Sequence, residues 1–128
     1  MRNGLKKHLF VLLAVLPLAA CETPRPSFAI DMAKYGDLIE REAASPGDLI
    51  RKQAIDTDKG AYAMADRHKA IAQSRSGAWD WSQGHASPEA AIDEALQRCR
   101  RQNQRHEAER PCRLIKVDVY WASEFFAR

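Results

Sequence analysis

Between His68 and Ser87 the chain carries side chains of hydrolytic type, among them His68, Asp80, Ser82, His85 and Ser87. A serine hydrolase needs a hydroxyl nucleophile, an imidazole to take its proton and a carboxylate to orient that imidazole. Such a set is recognised by geometry, and closeness in sequence does not supply it. The G-x-S-x-G turn that exposes a nucleophilic serine does not occur in the sequence. Ser87 has a simpler use, because Pro88 and Glu89 follow it: an N-cap, a first helical position and an acidic first turn. A small hydrolase is therefore the least favoured reading, and no catalytic residue is assigned.

Metal chemistry has two candidate sets. Asp56-Thr-Asp-Lys-Gly60 alternates acidic residues as a calcium loop does, but its glycine falls fifth instead of sixth, and the twelfth position, where a bidentate glutamate belongs, is Arg67. It is expected to be an ordinary turn. Cys99 and Cys112 are the second set: they form either a disulfide or, with His85 or His106, a metal site. No C-x-x-C or H-x-x-x-H spacing favours the metal, and neither metal nor cofactor is expected. The choice between thiol and disulfide depends on compartment, which the third cysteine, Cys21, addresses.

Arg2, Lys6 and Lys7 precede a nearly continuous apolar run from Leu9 to Ala20. As helix this run of about twelve residues spans roughly 18 Å. A bilayer core is about 30 Å thick, so the run is short for a membrane span and fits the hydrophobic region of a signal peptide. Leu18-Ala19-Ala20-Cys21 resembles the lipobox of bacterial lipoprotein precursors. That resemblance implies a diacylglyceryl group on the Cys21 sulfur, cleavage before Cys21 and usually acylation of the new amino group. Two or three acyl chains anchor durably where one does not. The resemblance also bears on sorting: an aspartate after the cysteine favours the inner membrane in the Gram-negative pattern, and Glu22 stands there instead, which leans toward the outer membrane. Ordinary secretory cleavage after Ala20 is the competing reading.

Export makes a Cys99–Cys112 disulfide the simplest use of the remaining pair. It also changes the meaning of the charge. The formal net charge of +3 comes from 20 Lys plus Arg against 17 Asp plus Glu, and Arg2, Lys6 and Lys7 account for all of the excess. From Cys21 onward the chain is neutral, so no nucleic-acid partner is expected. The balance is uneven: residues 22–66 lean acidic, whereas 98–113 hold six arginines and two glutamates.

The elements that must position these residues follow from periodicity. Residues 1–20 read as signal peptide, and 21–27 as an extended, proline-stiffened tether. Residues 28–66 read as helical: Phe28, Met32, Tyr35 and Ile39 share one helix face through to Ala43, and Asp48 caps a second short helix carrying Leu49, Ile50, Gln53 and Ala54. Residues 67–128 read as a hairpin, a helix and a strand. His68–Ser74 and Ala78–Ser82 flank the turn signal Ser76-Gly77, and Trp79 and Trp81 share a strand face. The helix runs from Ser87 to about Gln102 with Ile92, Ala95, Leu96 and Cys99 as its apolar stripe. Leu114 to Trp121 reads as one continuous strand, with Ile115, Val117, Val119 and Trp121 on one face. The expected fold is a small α+β domain: an antiparallel sheet of hairpin and final strand, a helix across one face, and one or two preceding helices. Its expected core is Ile71, Trp79 or Trp81, Ile92, Leu96, Ile115, Val117 and Val119.

The stretches AWDWSQGHASPEAAIDEALQRC and CRLIKVDVYWA, within residues 68–121, resemble a group of small exported bacterial domains of unknown function. The resemblance implies the hairpin–helix–strand order and an extracytoplasmic location, and no chemistry.

Trp81, Tyr120 and Trp121 are candidates for partner contact, including contact with peptidoglycan. Arg101 and Arg105 are candidates for meeting an acidic partner or anionic head groups. The favoured function is a membrane-anchored, periplasm-facing, non-enzymatic module that binds an envelope protein or has a structural role. A periplasmic inhibitor or immunity-type protein that blocks a hydrolase is the alternative.

Overall fold

Ala70–Gln73, buried at every position, and Trp79–Ser82, where tryptophans alternate with polar residues, flank a turn signal and form the first hairpin, β1 and β2. The computed structural model describes residues 26–127, so Cys21, the expected signal peptide and most of the tether lie outside the described residues. Gly77 sits in the hairpin turn at φ +96°, and a Cβ there would meet the Arg51 guanidinium at 2.6 Å. The left-handed backbone favours glycine here, and a side chain would also displace the Arg51 guanidinium.

Helix α4, Pro88–Gln102, follows with Ser87 as N-cap, its hydroxyl accepting from the Ala90 N–H at 3.1 Å. Its Ala91, Ile92, Ala95, Leu96 and Cys99 face inward and are buried. Strand β3, Arg113–Val117, returns antiparallel to β1, and β4, Tyr120–Trp121, folds back on β3. The result is a four-stranded antiparallel sheet in the order β2-β1-β3-β4. The protein is α+β, as expected.

The expected single strand from Leu114 to Trp121 is two strands joined by a turn. Asp118 adopts φ 51° and Val119 follows it at the tip, 68% exposed. Val119 is thus not part of the core. Aspartate tolerates the left-handed region better than most residues, and the Asp118 carboxylate fixes the turn by accepting from the Lys69 N–H at 3.0 Å.

The N-terminal segment also departs from expectation. The helix expected over 28–43 is only α1, Met32–Tyr35, followed by a 3-10 turn, Gly36–Leu38. Asp31 caps α1 through its side chain, which starts the helix late. Ile39 is extended and bridges Leu114 in parallel, with the Glu40 N–H donating to the Leu114 carbonyl. Asp48 does not cap the following helix. Its carboxylate accepts from the Ala44 and Ser45 N–H groups around the 3-10 turn Pro46–Asp48. Helix α2 spans Lys52–Lys59, so Asp56 to Lys59, expected as a turn, is helical, and only Gly60 ends it. A short helix α3, Ala61–Met64, follows.

This segment wraps the sheet. The Tyr35 hydroxyl donates to Asp93 of α4 at 2.9 Å, Ile39 crosses the β3 edge, and the Gln73 side chain pairs with Asp48 O and Ile50 N on the face away from α4. There Lys116 and Asp58 form an ion pair at 2.7 Å, nearly enclosed, and the Tyr62 and Trp81 rings meet edge to face. One buried cluster running from Ile30 to Ala122 joins both layers.

The disulfide between Cys99 and Cys112 is present, with Cα atoms 6.1 Å apart and both residues buried. It fastens the end of α4 to the start of β3.

Candidate functional site

The hydrolytic residues do not converge. The Ser82 hydroxyl is buried and donates to the Ala91 carbonyl at 2.6 Å, locking β2 onto α4. Ser87 is spent on the helix cap, and the Asp80 carboxylate accepts from the Trp81 N–H and from Gln102. A groove of about 290 Å³ does hold His85 near Ser82, walled by Trp81, Glu94 and Arg98. Its charged groups are paired: Arg98 donates to Glu94 at 2.8 Å and to the Trp81 carbonyl at 3.1 Å, and the bond from Arg98 holds the Glu94 carboxyl below its ordinary range.

Asp56 and Asp58 point apart, to Lys52 and to Lys116. Among the described residues no group of three or more His, Cys, Asp or Glu side chains has metal-binding geometry.

His68 has a different partner from any the spacing suggests. Its Nδ1 lies 2.7 Å from Asp118 Oδ2, in a cleft of about 390 Å³ whose walls include Phe28, Ala65, Arg67, Val119 and Tyr120. Phe28 packs edge-on against both the His68 and Tyr120 rings. Beneath the cleft the Lys69 ammonium turns inward and donates to the carbonyls of Tyr62, Ala63 and Ala65, closing the end of α3. Burial holds the Lys69 pKa below the ordinary lysine value. The Tyr62 hydroxyl donates to the Asp118 carbonyl at 2.8 Å, and burial pushes that phenol far above its usual range. The cleft joins residues 50 positions apart through a left-handed aspartate, a pairing that no local sequence signal reveals.

The opposite end of the sheet is polar. At the tip of the β1–β2 hairpin, Ser74 donates to the Arg110 carbonyl and Ser76 to the buried Asn103 side chain. The Asn103 amide in turn donates to Glu107 and to the Arg110 carbonyl. The hairpin tip and the loop between the cysteines therefore brace each other, with Arg101, Arg105 and Arg110 on the outside. Arg101 is 4.0 Å from Glu94 and remains largely exposed, while Arg105 makes no ion pair among the described residues.

The five expected contact residues thus separate into two groups. Arg101 and Arg105 lie at the hairpin-tip end. Trp81, Tyr120 and Trp121 lie toward the cleft end, but on different faces. Trp121 is opposite Lys116, whose ammonium sits 4.4 Å over its ring, and Trp81 packs on Tyr62. Tyr120 points to the other side, against Phe28 and Phe125. Half-buried rings divided between two faces do not make one flat platform for a glycan.

No protein-family model, curated protein or solved structure matches the chain.

Proposed function

We propose that the chain is a lipid-anchored, periplasm-facing, non-enzymatic module that binds an envelope protein through its arginine-bearing end. The observation that carries this reading is the separation of the two ends. The described chain enters at Ser27 and Phe28 on the rim of the His68 cleft, while Arg101 and Arg105 sit at the far end of the β1–β2 hairpin. An anchor at Cys21 leaves that far end free to meet a partner. A braced, disulfide-closed loop presents the arginines on a rigid support, which lowers the ordering cost of binding. The buried Cys99–Cys112 bond supports an oxidising compartment.

The test is photo-crosslinking in intact envelopes, with the crosslinker at the neighbouring exposed position 104 of the lipidated protein. One envelope protein should be enriched over an unrelated lipidated control, and Arg101→Glu with Arg105→Glu should reduce the crosslink at least tenfold. No enrichment over the control contradicts the reading.

A further inference from the structure

Two of the most exposed large apolar side chains flank the same cleft. Val119 is 68% exposed at the tip of the β3–β4 turn, and Met64, at the end of α3 next to the cleft residue Ala65, is 88% exposed. Both are rigidly backed. The Val119 turn is held by Asp118 to Lys69 and His68, and the end of α3 is held by the Lys69 ammonium. Phe28 and Tyr120 continue the apolar rim between them, and the Arg67 side chain, exposed on the same rim, makes no ion pair among the described residues.

Soluble surfaces seldom concentrate apolar side chains on rigid turns without an occupant. The chain length to Cys21 indicates which occupant this rim has. Ser27 lies six positions after Cys21, and six steps of chain span at most about 22 Å even when fully extended. Ser27 itself lines the cleft. If Cys21 carries acyl chains, this rim is therefore held within about 22 Å of the bilayer surface, and weak apolar contacts act there at high effective concentration.

We infer that the rim formed by Met64, Val119, Phe28 and Tyr120 seats against the lipid head-group region, as a second contact beside the acyl anchor. Val119 and Met64 dip into the interface, Tyr120 lies at its level, and Arg67 faces anionic phosphates. The contact fixes the orientation of the domain, with the arginine-bearing end directed away from the membrane. The inference rests on the lipid-anchor reading and adds to it a specific face.

The test uses the full lipidated protein in vesicles of phosphatidylethanolamine and phosphatidylglycerol, with acylation of Cys21 verified by intact mass. An environment-sensitive fluorophore is attached through Val119→Cys, and in a second sample through Arg105→Cys. Both positions are exposed, so neither label disturbs the core. The probe at 119 should shift to the blue and lose at least half its emission to lipid-borne spin labels, while the probe at 105 behaves as in buffer. Equal, unquenched emission from both positions overturns the inference while leaving the anchor intact. A blue shift at 119 without lipid quenching puts a second copy of the chain on this face and also overturns it. A chain whose Cys21 carries no acyl group overturns both the anchor and the inference.

Discussion

Lys69 is a lysine used as a structural clamp. Its ammonium is buried and satisfies three carbonyls at the end of α3, at 2.6, 3.3 and 3.0 Å. Lys69→Met keeps the length of the side chain and leaves those acceptors without a donor, so about 2–3 kcal/mol of stability should be lost, measured by urea unfolding. The same residue gives a pH signature. Because burial lowers its folded-state pKa, the unfolded chain holds more protons in the window just under the ordinary value of 10.5. Stability contributed by this site should rise with pH across that window, and the rise should be missing from Lys69→Met. His68 and Asp118 illustrate what the sequence hides at this scale. Neighbouring residues offered Asp80, Ser82 and His85 as a cluster, yet each of those is tied to local structure or to a groove wall. The partner His68 actually meets lies 50 positions away.

At the scale of elements, the β3–β4 turn depends on one conformational choice. Asp118 combines a left-handed backbone with acceptance from Lys69 N and contact with His68. Asp118→Ala should destabilise by about 2–4 kcal/mol, from the lost acceptor and the left-handed strain together. Asp118→Asn, which tolerates that backbone and keeps one oxygen, should cost about 1 kcal/mol less. Thermal melts of both variants give the comparison. The turn was not legible because Ile115, Val117, Val119 and Trp121 keep a period of two across it, and neither glycine nor an Asn-Gly pair marks the reversal. The second half of helix α2, Asp56 to Lys59, was missed for the opposite reason. Asp-Thr-Asp-Lys has the local preferences of a turn, and a tertiary contact, Asp58 to Lys116, holds it helical. By contrast, β1, β2 and α4 were legible because the Ser87 cap, the Ser76-Gly77 turn and the apolar periodicity all agree with the tertiary fold.

At the scale of the whole molecule, the sequence indicated the sheet with a helix on one face, and the Cys99–Cys112 bond. It did not indicate how the N-terminal segment wraps the sheet, because its residues act through distant partners: Tyr35 on Asp93 of α4, Ile39 and Asp58 on β3, and Asp48 and Ile50 on Gln73 of β1. The disulfide staples the distal end. Replacing both cysteines with alanine should lower stability by about 3 kcal/mol and loosen the loop that carries Arg105, seen as faster amide exchange over 103–111. In the proposed function, the chain from Cys21 onward is held to a membrane at one end and meets its partner at the other. The most direct measurement is the intact mass of the mature protein purified from envelopes, alongside Cys21→Ala. The expected result is a chain beginning at Cys21 and carrying acyl chains, with Cys21→Ala left as an unacylated precursor or mislocalised. A mature chain with unmodified Cys21, or a Cys21→Ala protein that still fractionates with membranes at its mature mass, would contradict it.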